Sequence, residues 1–252
     1  MLKLTKRHAR KVLKVVDAGL CYGKGEPIPG QMCVEAAVCF ALGEPFSDEP
    51  SCVSPTLRQL KINLNDKAWS SNQARAKGLR RIAIAQLGTK DTLDEIEFMR
   101  RVAKTTIQKT VPAAIRLATD KVPEPHKSNM LAAALRCEQE GTEEAAREAN
   151  KVTRAYYTAA SASASASAAA YAAASAAAYA AAAYAASAAS AAAYAAASYA
   201  SYAAASAASA AASAAAYAAA YDKVLSQYAE DVVQILIDMK TPGSKWLDIT
   251  ED

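Results

Sequence analysis

Long stretches of this chain lack charge, glycine and proline. Residues 155–221 contain no Lys, Arg, Asp or Glu, and no glycine or proline lies between Thr142 and Pro242. Because glycine and proline interrupt helices most strongly, their absence favours continuous helix. Residues 155–221, called the alanine-rich segment below, are almost entirely alanine, serine and tyrosine, and alanine has the highest helix propensity. We therefore predict that the alanine-rich segment is helical.

Cysteine and histidine are also scarce. The two histidines are His8 and His126, and the five cysteines are Cys21, Cys33, Cys39, Cys52 and Cys137. An odd number of cysteines without CxxC spacing argues against a disulfide framework and favours a reducing cytoplasm. The cysteine spacings match no established zinc pattern, so we predict neither a metal nor a cofactor.

Long strongly apolar runs are missing. Residues 1–8 lack the apolar core of a secretory signal. The alanine-rich segment is long enough to cross a bilayer, but alanine is only weakly apolar and a serine or tyrosine occurs at nearly every turn. We therefore expect no membrane span and a cytoplasmic location.

The charges that are present are unevenly distributed. Residues 1–154 carry 26 Lys and Arg against 18 Asp and Glu, whereas residues 222–252 carry 3 against 7. This asymmetry favours either attraction between chains or folding of the acidic end back onto the basic part of the same chain.

Residues 1–141 have the pattern of a multi-helix globular head. Thr5 is a cap for a first helix, Ser54 followed by proline marks another start, and residues 92–95 form a capping box. No run alternates convincingly between apolar and polar residues, so the fold class is predicted to be all-α. The predicted helices cover residues 6–18, 31–42, 54–66, 71–87, 92–109, a short stretch from Pro112, and 128–140.

Residues 142–221 are predicted to form a helical arm, and serines and tyrosines recur along it at a mean step near 3.9 residues. A single helix over 143–239 would be about 145 Å long, but the alternating run at 161–167 matches no helix face and predicts a bend or hairpin there. A silk-like β arrangement and repeat expansion without a selected face are the alternatives. The predicted interaction stripe consists of Tyr171, Tyr179, Tyr184, Tyr194, Tyr202, Tyr217 and Tyr221.

Residues 222–252 are predicted to form an amphipathic helix followed by an anchor. Its apolar seam needs a partner, which either the head or another copy supplies, and Trp246 with Leu247 is the predicted anchor. The seam residues are Leu225, Tyr228, Val232, Leu236 and Met239.

One pattern suggests chemistry. Cys33 lies at the predicted start of a helix, where the helix dipole lowers a thiol pKa, and Gln31 is placed to donate to an oxyanion. This arrangement resembles the papain-like cysteine hydrolases, with His8 or His126 as the base. The alternative is that Cys33 is a small buried side chain.

Two basic clusters favour nucleic-acid binding as a further alternative. The first is the basic face of the first helix, and the second lies near residue 78, although the connection between helices 54–66 and 71–87 is too long for a helix-turn-helix. The clusters are Lys6, Arg7, Arg10, Lys11 and Lys14, and Arg75, Lys77, Arg80 and Arg81.

The head also carries a recognisable motif. The runs PGQMCVEAAVCFALG (29–43), DEPSCV (48–53) and LNDKAWSSNQARAKGLRR (64–81) resemble uncharacterised bacterial and phage proteins, some with alanine-rich tails. The resemblance implies a bacterial or phage setting and transfers no functional residue. The alanine-rich segment is similar in composition to the alanine-rich fish antifreeze proteins, but it has one threonine, Thr158, instead of a regular threonine series.

These observations together favour a non-enzymatic structural or interaction protein. In this hypothesis the head, residues 1–141, is displayed on a self-associating arm, residues 142–221, and residues 222–252 form the anchor. A cysteine hydrolase using Cys33 and a nucleic-acid-binding head are the alternatives.

Overall fold

The computed structural model describes residues 3–119, 122–159 and 218–251. These residues form nine α-helices and no strand, which confirms the predicted all-α fold class. The helices are α1 (Lys6–Asp17), α2 (Val34–Leu42), α3 (Pro55–Asn65), α4 (Asn72–Ala85), α5 (Glu95–Thr105), α6 (Val111–Ala118), α7 (His126–Glu140), α8 (Glu143–Ala159) and α9 (Ala218–Asp238). A π-helical segment, Thr106–Thr110, joins α5 to α6, and a 3₁₀ segment, Pro242–Thr250, follows α9.

Three of the N-terminal helices begin where the sequence predicts, and α3 and α4 each have a serine side-chain cap. Ser54 Oγ and Ser71 Oγ each accept a hydrogen bond from the backbone N–H three residues on, at 3.5 and 3.0 Å. At α1, the backbone N–H of Thr5 donates to Nδ1 of His8, 3.2 Å away. Each contact satisfies a backbone group that the first turn of a helix leaves without a partner.

The start of α2 differs from the prediction, because the helix begins at Val34 and not near Gln31. The preceding residues form a tight loop, in which the backbone N–H of Cys33 donates to the carbonyl of Lys24 at 3.1 Å. Gly25 has a φ of 73°, and a Cβ there would overlap the backbone of Gln31. Cys33 is therefore the N-cap of α2 and does not lie within its first turn.

The capping box predicted at residues 92–95 is wrong. Helix α5 begins at Glu95, and Asp94 Oδ1 accepts the N–H of Glu97 at 3.0 Å. Thr92 instead donates its hydroxyl to the carbonyl of Gly88 at 2.7 Å. An aspartate one position before the helix satisfies the first-turn N–H as well as threonine does, so the box pattern alone misplaced the start by two residues.

Two compact units are present, and the boundaries between them fall within α5 and α9. Unit 1 comprises Met1–Phe98 and Ser226–Asp252, and unit 2 comprises Met99–Leu225. In unit 1, α1 packs against α2 and α4, and the 3₁₀ segment packs against α4 and α1. Its core consists of buried side chains including Val12, Val16, Leu20, Leu57, Leu60, Leu64, Leu79, Ile82, Trp246 and Leu247.

The acidic end of the chain folds back within unit 1. Asp248 forms an ion pair with Lys6, and Glu230 Oε2 lies 3.0 Å from Arg81 Nε. Of the two outcomes that the charge asymmetry favours, folding back within one chain is therefore present in the structure.

Unit 2 is a helical cluster in which α7 packs against α6 and α8. Gln108 Nε2 in the π-helical segment donates to the carbonyl of Glu138 at 3.2 Å. Pro112 lacks the N–H that would bond to the carbonyl of Gln108 in a regular helix, which accounts for the irregular backbone just before α6. The predicted stop of α7 at Gly141 is confirmed.

Residues 160–217 lie outside the described ranges. Most of the arm, its bend at 161–167 and the stripe positions from Tyr171 to Tyr217 belong to that part. The first residues of the arm form α8, and Tyr221 lies in the first turns of α9. The division into head, arm and anchor therefore stays a prediction. None of the described helices combines the length and apolar character that a transmembrane span needs.

Candidate functional site

A lysine–glutamate pair lies inside unit 1. Glu35 on α2 and Lys61 on α3 are completely buried, with Lys61 Nζ 2.5 Å from Glu35 Oε1. Within the described part of the chain, no other group hydrogen-bonds to these side-chain atoms. Burial raises the pKa of the Glu35 carboxyl and lowers the pKa of the Lys61 ammonium, and the contact between them opposes both shifts. The pair thus holds two helices together at the cost of removing two charges from water.

Sequence reasoning missed this pair, although the sequence contains a signal for it. Helix α2 reads VEAAVCFAL and is apolar on every side except at Glu35. A helix that is apolar all round is normally buried. Lys61 likewise lies one turn from Leu57 and Leu64 on the apolar side of α3. Because a buried charge without an opposite charge nearby is costly, the carboxylate of Glu35 and the ammonium of Lys61 are expected to pair.

The thiol of Cys33 has a structural role at the start of α2. Its Sγ accepts the backbone N–H of Ala36 at 3.3 Å, and the side chain is buried. Burial raises the pKa of the Cys33 thiol to about 12, and it raises the pKa values of Cys39 and Cys52 to about 11. A thiol with such a pKa is protonated at neutral pH and is a poor nucleophile.

The other residues proposed for hydrolysis lie in different settings. Gln31 is exposed, and its backbone carbonyl accepts the N–H of Glu26 at 2.8 Å. His8 lies at the start of α1, with Nδ1 occupied by the backbone N–H of Thr5. His126 belongs to unit 2, where its ring centroid is 5.6 Å from that of Tyr156. The described residues include no group of three or more His, Cys, Asp or Glu side chains arranged to hold a metal ion.

The first basic cluster follows one side of α1. Four of its residues are exposed to solvent, and no carboxylate of the described residues forms an ion pair with them. Lys6 differs because it is paired with Asp248. The four exposed residues are Arg7, Arg10, Lys11 and Lys14, and they are called the α1 basic stripe below.

The second basic cluster is divided by the fold. Arg75 is buried, and its guanidinium donates to the backbone carbonyls of Asn65 and Leu20, each at 2.8 Å. It therefore tethers the loop after α1 to the end of α3 and is not available to a ligand. Lys77 is exposed, and Arg80 and Arg81 are partly exposed.

A groove of about 520 Å³ lies beside the second cluster in unit 1. Arg80 crosses it, with Nε 2.8 Å from Asp17 Oδ1 and Nη1 2.5 Å from the carbonyl of Thr250. Asp17 is one turn beyond Lys14, so the groove continues the line of the α1 basic stripe. The groove is lined by Asp17, Gln73, Ala76, Lys77, Arg80, Arg81 and Thr250.

The predicted seam residues lie on or just after α9. Leu225, Tyr228, Val232 and Leu236 are buried, and Met239, directly after the helix, is half-buried. In the anchor, Trp246 and Leu247 are buried within the 3₁₀ segment.

No protein-family model, curated protein or solved structure matches this chain. A functional interpretation therefore depends on its own residues and their geometry.

Proposed function

We propose that this is a non-enzymatic interaction protein, in which a helical body presents the alanine-rich segment for self-association. The observation that supports this most directly is the return of the chain to unit 1 after the segment. Helix α8 runs to Ala159 and α9 begins at Ala218, so both ends of the segment lie within helices. A segment held at both ends by folded structure is presented to partners and is not a free tail.

The composition of the segment suits contact between helices. Alanine side chains let helix axes approach closely, while tyrosines supply large contact areas with a polar end. Alanine contacts contribute little individually, because burial yields about 25 cal/mol per Å². Stable association therefore requires many of them, which gives a physical reason for the length of the segment.

The hydrolase alternative has less support. Cys33 is buried and protonated, with a pKa raised to about 12, and its sulfur already caps α2. All five cysteines are free thiols, in keeping with the cytoplasmic location proposed from the sequence.

Paired sets of substitutions in the segment test self-association. The first set replaces the seven stripe tyrosines with alanine, and the matched control replaces seven serines of the same segment with alanine. Each set raises helix propensity slightly, but only the first removes large contact areas. We expect size-exclusion chromatography to show association for the wild type and the serine set and loss of association for the tyrosine set. Equal association of all three proteins would contradict the role of the tyrosines. The serines are Ser175, Ser187, Ser190, Ser198, Ser206, Ser209 and Ser213.

A further inference from the structure

We propose that the α1 basic stripe and the adjoining groove bind the phosphate backbone of nucleic acid without reading its sequence. This inference is independent of self-association, because it rests on residues of unit 1 alone. It differs from the sequence hypothesis in its residues, since Lys6 is paired with Asp248, Arg75 is buried and the groove is added.

The first support is the charge of the stripe. Arg7, Arg10, Lys11 and Lys14 recur at three- and four-residue steps, which places them along one side of α1. From Arg7 to Lys14 the helix rises about 10 Å, a length over which duplex DNA carries about six phosphate charges, one per about 1.7 Å of its axis. A row of four cations of this length therefore meets several phosphates at once.

The second support is where the opposite charges lie. The carboxylate of Asp248 is engaged with Lys6, and the carboxylate of Glu230 is engaged with Arg81. The acidic end of the chain thus pairs with Lys6 and Arg81. Asp248 also attracts Arg10, but no carboxylate of the described residues forms an ion pair with a stripe residue. Phosphates are the natural counterions for such a face, because neutralising them releases condensed cations from the nucleic acid.

The third support is the absence of an apolar face on α1 that could enter a membrane. Its apolar residues Ala9, Val12, Leu13 and Val16 are buried in the core of unit 1. A helix that binds a lipid surface needs an apolar side free to insert between headgroups. The stripe offers charge alone, which suits a phosphate backbone better than a bilayer.

The groove extends this face beyond the end of α1. Lys77 is exposed at its edge, whereas Arg80 is held by Asp17 and by the carbonyl of Thr250. Lys77 therefore adds a fifth contact, and Asp17 limits the contribution of Arg80. No base-reading element is needed, since phosphate contacts position a protein but carry no sequence information.

The test measures how the full-length protein binds a short random-sequence DNA duplex at increasing salt concentrations. Fluorescence anisotropy of the labelled DNA monitors the binding. With five phosphate contacts, the logarithm of the binding constant should fall against the logarithm of the salt concentration with a slope of about −4.5. Replacing Arg7, Arg10, Lys11 and Lys14 with Gln, which has a similar helix propensity, should reduce the slope to about −1. A matched control replaces four exposed lysines elsewhere, namely Lys24, Lys104, Lys223 and Lys240, with Gln, and should bind almost as the wild type does.

Single substitutions separate the proposed contacts from general positive charge. Lys77→Gln should reduce the magnitude of the slope by about one, whereas Lys6→Gln should change it little because Lys6 is already paired. Asp17→Asn should strengthen binding, since it removes a negative charge and releases Arg80.

Four results would overturn the proposal. The first is no binding by the wild type at low salt, and the second is an equal loss of affinity in the control variant. The third is displacement of the DNA by polyglutamate as effectively as by unlabelled DNA, which would show a general preference for anions. Binding to vesicles of anionic lipid without binding to DNA would also overturn it. Far-UV circular dichroism of each variant checks that the helices are retained.

Discussion

Glu35 and Lys61 bring two opposite charges into the core of unit 1, where water cannot reach them. Their attraction offsets the desolvation only in part, and their remaining donors and acceptors have no second partner among the described residues. Such a pair stabilises little compared with an apolar pair, but it penalises every packing of α2 on α3 that separates the two charges. Its main effect at the scale of residues is therefore on the specificity of packing.

A double-mutant cycle on this pair tests that interpretation. Glu35→Leu and Lys61→Met should each lower the free energy of unfolding by about 3–5 kcal/mol, because each leaves one buried charge without its partner. The double variant should be as stable as the wild type or more so. Urea denaturation measures all four proteins. Destabilisation of the double variant by the sum of the single effects would show that the pair is not coupled.

The thiol of Cys33 allows a second prediction at this scale. Because its pKa is raised to about 12 and the side chain is buried, iodoacetamide should leave Cys33 unmodified in the folded protein around neutral pH. Peptide mass spectrometry after labelling at increasing pH measures this directly. Half-maximal labelling of Cys33 below about pH 8 would indicate a thiolate and would revive the hydrolase alternative.

The raised pKa of the Cys33 thiol makes the free energy of unfolding depend on pH. The ordinary pKa of the thiol is 9.0, and its folded-state pKa is about 12. Between these values the unfolded chain has lost a proton that the folded protein keeps, so stability falls as pH rises. The contribution of Cys33 is fully present below pH 9.0 and is lost as the pH approaches 12. A Cys33→Ala variant should therefore show a weaker decline in stability over that range.

At the scale of elements, the 3₁₀ segment combines two kinds of contact with the N-terminal helices. Trp246, Leu247 and Ile249 are buried, whereas the ion pair of Asp248 with Lys6 lies at the surface. The hydroxyl of Thr241 donates to the carbonyl of Ala85 at 3.2 Å and fixes the entry of the segment. Apolar burial should dominate its attachment, because exposed ion pairs contribute little.

Two substitutions in this segment separate these contributions. Trp246→Ala should lower the free energy of unfolding of unit 1 by about 3–5 kcal/mol, since it leaves a large cavity. Asp248→Asn removes the ion pair and should leave the stability almost unchanged. Chemical denaturation measures the free energy of unfolding of both variants. The fluorescence of Trp69 and Trp246 monitors the Asp248 variant, and far-UV circular dichroism monitors both. A larger effect at Asp248 than at Trp246 would show that ionic attraction holds the segment.

Local signals in the sequence predicted most helix ends correctly. Ser54, Ser71 and Gly141 act through backbone groups within a few residues of themselves, so their effects are visible in the chain. The start of α2 was misplaced because it depends on contacts between residues of the loop and on Asn65, whose Oδ1 accepts the N–H of Val34 at 3.2 Å. Such contacts depend on the tertiary structure and have no local pattern.

The candidate sites also combine features that local sequence predicts with features that depend on tertiary contacts. The exposure of the α1 basic stripe follows from helical periodicity, and the sequence predicted that face. The burial of Arg75 and the capture of Lys6 by Asp248 join residues far apart in the chain. In the sequence, Lys6 and Arg75 cannot be distinguished from the exposed basic residues beside them. The sequence analysis therefore included both in the predicted nucleic-acid-binding clusters.

At the scale of the whole molecule, the chain leaves unit 1 after residue 98 and returns to it at residue 226. Residues 160–217 of the alanine-rich segment lie in the sequence between the end of α8 and the start of α9. We propose that its lack of charge and its large alanine content suit it to contact with helices of another copy. Self-association through this segment is the central proposal.

Sedimentation velocity over a wide range of concentrations tests this proposal most directly. It compares the wild type with a variant in which a short Gly/Ser linker, a flexible coil, replaces residues 160–217. We predict that the sedimentation coefficient of the wild type rises with concentration, while the linker variant sediments as a monomer throughout. A wild type that remains monomeric at every concentration, or a linker variant that associates equally well, would contradict self-association through the alanine-rich segment.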